Sequence, residues 1–243
     1  MSTKPLKITG IIAAGGSGQR LGVAGGKQLL EIAGRSVAAH AVDALAASAL
    51  VQDIVVVCSS DPKRLDEYAR IITRSVRTDK SLHFVQGGDS REESVYTGIS
   101  AGAADADIVA IHDGARPLLE SKYVDAAIRQ LIDSDGISGV VVGIPAVDTI
   151  KQVKTCDNVS LVTDTPERSR YWHAQTPQVF WREELVSAYD SARKEGWSGT
   201  DDASYVERQG GVVAMLQGSR NNIKITTPED VVFVEALLGC KEL

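Results

Sequence analysis

Short apolar runs rich in valine and isoleucine alternate along this chain with stretches of helical periodicity, a pattern that predicts strands joined by helices. Five runs have strand length: Ile8 to Ala13, Ile54 to Cys58, Leu82 to Gln86, Ile108 to His112 and Gly139 to Gly143. The alternation favours an α/β protein with a largely parallel sheet and right-handed crossovers. Several helix starts are readable between the strands. Asp61 before Pro62 is an N-cap with a first-turn proline, Ser90 with Glu93 is a capping box, and Thr227, Pro228, Glu229 and Asp230 open the last helix. Asp148 to Thr163 breaks the pattern, because TIKQV and VSLV alternate around Cys156-Asp157-Asn158 and so predict a hairpin projecting from the sheet. An arm of that kind, with little core, often packs on another subunit. There is no repeat, low-complexity stretch or linker, so residues 1–243 read as one domain carrying an arm.

Composition narrows the class. A chain of 243 residues, 43% of them hydrophobic, can bury a substantial core as one unit. A net charge of −6 argues against nucleic acid or an anionic membrane as the main partner, so cationic groups must be concentrated locally. The apolar runs are short and the segment MSTKPLK leads into a strand without a secretory pattern, which favours a cytoplasmic protein. Cys58, Cys156 and Cys240 are odd in number and lack metal-ligand spacing, so they read as reduced thiols.

The candidate chemistry begins in IIAAGGSGQRLGVAGGKQ, residues 11–28. Gly15, Gly16 and Gly18 let backbone N–H groups approach a triphosphate closely, and Arg20 and Lys27 supply fixed positive charge. The Walker pattern fails, because its glycine and Ser/Thr positions hold Leu21 and Gln28. The dinucleotide fingerprint also meets Leu21, and Asp61 comes too late to serve a ribose. An ordinary βα turn would need only one or two glycines.

Ligands of an open parallel sheet bind beyond the carboxyl ends of its strands, so the residues after each strand should converge. After the third come Gly87, Gly88, Asp89, Ser90 and Arg91, and after the fourth Asp113, Gly114, Ala115 and Arg116. Asp113 stands where a carboxylate can hold Mg²⁺ against triphosphate oxygens, or where a turn aspartate commonly falls. Arg91 and Ser94 suit either ligand contact or an ordinary helix surface, and His112 suits a structural role.

The ordered series AAGGSGQRLG with KQ, GGDSREES, HDGARP, DTIK, WHAQTPQ, TDDAS and NIKITTPED resembles the 2-C-methyl-D-erythritol 4-phosphate cytidylyltransferases, almost end to end. The resemblance implies a Rossmann-like nucleotidyltransferase fold. It also implies a homodimer formed by β-arms, here at about 146–172, and the use of CTP with Mg²⁺. The implied product is 4-diphosphocytidyl-2-C-methyl-D-erythritol, with release of pyrophosphate.

Carried over by motif, Arg20 and Lys27 would stabilise the transition state at the CTP α-phosphate, and Asp113 would help hold the Mg²⁺. Gly88, Asp89, Arg91 and Ser94 match the cytidine-binding loop, with Ala13, Ala14, Gly15, Gly16 and Gly18 beside them. Thr149, Arg168 and Lys224 would bind the methylerythritol phosphate, Thr149 and Arg168 from the partner subunit. Arg170 competes with Arg168. A ribitol 5-phosphate cytidylyltransferase is the nearest competing reading, and the Trp172-His173 pair favours the methylerythritol family. A binding protein without catalysis is disfavoured by Arg20, Lys27 and Asp113 occurring together. Gly25-Gly26 stands where the family usually has proline before the lysine, so a loop at Val23 to Lys27 ordered only by CTP is expected.

Overall fold

The structure is a computed structural model that describes residues 5–16 and 26–240. Gly18, Arg20 and most of the loop expected to order with CTP lie outside the described residues. The chain runs through β1 (Ile8–Ala13), a ribbon of β2 (Glu31–Ile32) and β3 (Arg35–Ser36), α1 (Val37–Ala46), β4 (Asp53–Val57), α2 (Leu65–Ser75) and β5 (Leu82–Val85). It continues through α3 (Arg91–Gly102), β6 (Ile108–Asp113), α4 (Ser121–Asp133), β7 (Gly139–Pro145), a hairpin of β8 (Gln152–Cys156) and β9 (Val159–Asp164), and β10 (Trp172–Trp181). Last come α5 (Arg182–Glu195), α6 (Asp202–Arg208), β11 (Val213–Gln217) and α7 (Pro228–Gly239).

Seven strands form one sheet in the order β11-β7-β10-β6-β1-β4-β5. All neighbours are parallel except β10, which runs antiparallel to both β6 and β7. Because successive strand residues face opposite sides, each strand feeds two layers. Ile12, Val56 and Ala110 pack with α1, α2 and α4, while Ile11, Val55 and Val109 pack with α3, α5 and α6. A third, smaller cluster joins Val234 of α7 to Ile32, Val37, Leu118 and Ile225. β1 lies between β4 and β6, so the chain winds outward from it in both directions and leaves a crevice at its carboxyl end.

All five expected strands are present. Two more strands of the main sheet, β10 and β11, and the short β2–β3 ribbon were not expected. Gln175, Thr176 and Gln178 are buried in β10 and Pro177 interrupts it, so this central strand has no apolar run to announce it. Its pairing with β7 shifts register between Ala174 and Gln178, which spares the ladder a missing proline donor. The three helix starts also take shape. Asp61 caps a 3-10 turn, Pro62–Arg64, that runs into α2, and Thr227 forms the capping box of α7 with Asp230. Ser90 caps α3 through the Glu93 N–H, but Glu93 reaches back to the Asp89 N–H rather than to Ser90.

The hairpin is present too. β8 and β9 pair antiparallel and close on Asp157 and Asn158, whose φ values of 46° and 65° give the left-handed two-residue turn that matches strand twist. Every residue of both strands is exposed. Among the described residues no helix is long and apolar enough to cross a membrane.

Candidate active site

A cleft of about 380 Å³ opens at the crevice beyond β1, lined by loop glycines, the start of α3, and Lys27, Asp113 and Lys224. Its walls approach closely because glycine permits it. A Cβ on Gly15 or on Gly87 would stand 2.3 or 2.4 Å from the same Cys58 carbonyl, so both loops press on the end of β4. Gly26 has φ +91°, a conformation closed to proline, so the usual family proline could not follow this backbone path.

The floor is an electrostatic cluster. Asp113, 5% exposed, ends β6 and faces three cations: Lys224 Nζ at 2.8 Å, Arg116 Nε at 3.3 Å and Arg91 Nε at 3.4 Å. Burial alone would raise its pKa, but Arg91, Lys224 and Arg116 outweigh that and hold the carboxyl well below the usual range. Asp113 therefore stays ionised. Two of its cations are anchored elsewhere: Arg116 donates to the Asn222 carbonyl at 2.7 Å, and Arg91 donates from both Nη atoms to Asp202 at 2.7 Å each. Lys224 has only Asp113 among the described residues and is 37% exposed in its side chain, so it is the cation able to change partner.

β10 ties these groups together. The Thr176 hydroxyl accepts from the Asp113 N–H at 3.1 Å and lies 2.8 Å from His112 Nδ1, while His112 Nε2 lies 3.0 Å from the Arg116 carbonyl. A carbonyl only accepts, so Nε2 carries the proton and Nδ1 accepts from Thr176. Burial pushes the imidazole down to about 4, which keeps it neutral. Asn222 Nδ2 donates to the Thr176 carbonyl at 2.8 Å, and Gln178 bridges Asp201 and the Ala203 N–H. One strand thus positions HDGARP, TDDAS and NIK.

The nucleotide-loop residues divide. Ala13, Gly15, Gly16, Gly88, Asp89, Arg91 and Ser94 line the cleft; Ala14 does not, being fully buried with its N–H donated to Val57. Gln28 places its amide against both polar groups of Gly16, at 3.2 Å and 2.9 Å. Ser94 braces the loop between β5 and α3 by accepting from the Gly88 N–H. Lys27, Asp113 and Lys224 also line the cleft. Thr149 and Arg168 do not. Both are exposed on the arm, where Arg168 donates to the Val147 carbonyl at 2.6 Å. Asp202, Thr176 and Asn222 were not singled out in the sequence, although each lies in a recognised motif; short polar residues there give no signal until their partners are known.

The family model for 2-C-methyl-D-erythritol 4-phosphate cytidylyltransferase matches residues 8–240. The chain belongs to this family. A cytidylyltransferase of that name from Caldanaerobacter subterraneus is 38% identical over 233 residues, covering 96% of this chain and 99% of its own. One from Syntrophotalea carbinolica is 38% identical over 229 residues, covering 94% of each. The crystal structure of 4-diphosphocytidyl-2C-methyl-D-erythritol synthase from Anaerococcus prevotii is similar with a TM-score of 0.82 and 27% identity, over 97% of both chains. The Rossmann-like α/β fold of the cytidylyltransferase family is thereby shared by this chain.

Among the described residues no three His, Cys, Asp or Glu side chains cluster as a metal cage. The donor set still suits Mg²⁺. That ion keeps several waters and needs one or two protein carboxylates beside substrate phosphates, and Asp113 is an ionised carboxylate on the cleft floor.

Proposed function

We propose that the chain transfers the cytidylyl group of CTP to 2-C-methyl-D-erythritol 4-phosphate, releasing pyrophosphate and forming 4-diphosphocytidyl-2-C-methyl-D-erythritol for isoprenoid synthesis. Membership of the family supports the chemistry. The observation that carries it is the floor of the cleft, where Lys224, Arg91 and Arg116 surround one ionised carboxylate and Lys27 lines the wall.

The substrate phosphate is anionic at neutral pH, so its oxygen attacks the α-phosphorus without a general base, and pyrophosphate leaves from the opposite side. Negative charge grows around phosphorus and on the leaving group, and Lys27 with Arg20 would stabilise it. Asp113 would help hold Mg²⁺, which when bound neutralises triphosphate oxygens. Lys224 would leave Asp113 for the phosphate of the second substrate. Gly15, Gly16 and Gly88, with Asp89, Arg91 and Ser94, would hold the cytidine. Thr149 and Arg168, absent from their own cleft, would enter that of a second copy through the arm, so the active form would be a homodimer.

Pyrophosphate release with Mg²⁺ and CTP tests the reading, with methylerythritol 4-phosphate and ribitol 5-phosphate supplied in parallel. Turnover with the first alone is expected, abolished in an Arg20→Ala, Lys27→Ala double variant. Turnover with ribitol phosphate alone would overturn the substrate, and silence with both would overturn the enzyme.

A further inference from the structure

Asp202 is a fully buried carboxylate that no step above uses. It receives both Nη atoms of Arg91 at 2.7 Å and the hydroxyl of the buried Tyr189. It does not line the cleft. Arg91 does, and its Nε faces Asp113 at 3.4 Å. The guanidinium therefore stands between two carboxylates, one outside the cleft and one on its floor.

That arrangement limits what Arg91 can do. A guanidinium has five N–H donors in a rigid plane, and here the fork of two Nη atoms is turned away from the cleft onto Asp202. What the cleft receives is the Nε edge, beside Asp113, rather than an open phosphate clamp. Without Asp202 the fork would be free to close on Asp113 and compete with Lys224 for it. The position of Asp202 is itself firmly set. Gln178 of β10 donates to Asp201 at 2.8 Å and accepts from the Ala203 N–H at 3.1 Å, gripping both sides of Asp202, and Tyr205 of α6 donates to Glu92 at 2.6 Å, next to Arg91.

We propose that Asp202 is a positioning residue for the nucleotide site, fixing the Arg91 guanidinium edge-on to the cleft so that Asp113 and Lys224 stay available for substrate. This deepens the cytidylyltransferase reading and rests on it. The alternative is a staple between α3 and α6 with no influence on the cleft.

A double-mutant cycle between Arg91 and Asp202 separates the two, read as CTP affinity by calorimetry with Mg²⁺ and as KM against kcat in the pyrophosphate assay. Asp202→Asn is expected to weaken CTP binding and raise KM for CTP on the order of ten-fold, with a smaller change in kcat, as loss of a buried charged partner implies. Since Asp202 acts through Arg91, adding it to Arg91→Ala should produce no further loss. A fall in thermal midpoint with unchanged affinity and KM, or independent effects of the two substitutions, would overturn the proposal. If Asp202→Asn does not fold, Tyr189→Phe carries the test. It should weaken CTP about three-fold in the native background and not in Arg91→Ala, and equal or absent effects in both would overturn it. Unaltered protein that binds CTP without turnover would sink the transferase reading alone, leaving the cycle to be read on affinity; failure to bind CTP would sink both.

Discussion

Around Thr176, separate segments of chain are tied to one strand by side-chain hydrogen bonds, whereas the β8–β9 hairpin is tied chiefly through its own ladder. The first region holds a buried carboxylate, Asp113, whose partners Arg91 and Arg116 are anchored elsewhere, with Lys224 alone of its cations able to move. The second leaves Val153, Val159, Leu161 and Val162 about half exposed, a cost that suits a surface awaiting a partner. The contrast sets a floor tied by hydrogen bonds, which handles charge, against an arm that in the proposed dimer would be completed by another chain.

Removing the arm tests the contrast most severely. Replacing residues 148–166 with a short Gly-Ser turn should leave the thermal midpoint of the main body nearly unchanged, while the protein sediments as a monomer and turnover falls by at least about 10³-fold, because Thr149 is removed and Arg168 is no longer delivered to a second copy's cleft. An active monomer would break the proposed role of the arm. Lys224→Ala attacks the floor instead. With its charge gone, kcat/KM should fall roughly 10²-fold, and Lys224→Arg should recover only part because the fork differs from a point charge. Full activity of the alanine variant in steady-state assays would remove Lys224 from the site.

The rigid region should also show itself in pH. His112 is held neutral, its pKa pushed from 6.5 down to about 4 by burial, while the unfolded chain takes up a proton below 6.5. The unfolded state binds more protons in that window, so stability rises with pH there; on acidification from about 6.5 to about 4 it falls by on the order of 3 kcal/mol. Urea unfolding at pH 7 and pH 4.5 should show this loss, reduced in His112→Gln; equal losses in both would place the pH dependence elsewhere. Asp113 acts in the same direction at lower pH, since its depressed pKa leaves its stabilisation complete above the ordinary carboxyl value of 3.8 and loses it as pH falls below that. The smallest effect belongs to the arm. Asn158→Gly, at φ 65°, should stabilise the hairpin by no more than about 1 kcal/mol, seen as slower amide exchange in β8 and β9 with activity unchanged.

The site was legible where local chemistry was concentrated. Glycines followed by Lys27, the capped start of α3 and Asp113 after an apolar strand each announced themselves, because close backbone approach, helix capping and strand ends impose local residue choices. Ala14 shows the limit of such reading. Within the glycine loop it resembles its neighbours, yet its N–H is engaged by Val57 and its side chain is buried, facts set by the pairing of β1 with β4.

By itself the sequence determined the five apolar strands, the helix starts, the turn of the arm and the family, all of which follow from periodicity, local conformational preference or ordered motifs. Only the tertiary structure decided that β10 runs antiparallel through the middle of the sheet, and that its Thr176 and Gln178 orient Asp113, His112 and the segment bearing Asp202. The reason is physical. Burial of a polar group is tolerated only when its partners are in place, and those partners come from as far as 64 residues away for Thr176 and 111 for Asp202, separations that leave no mark on local pattern.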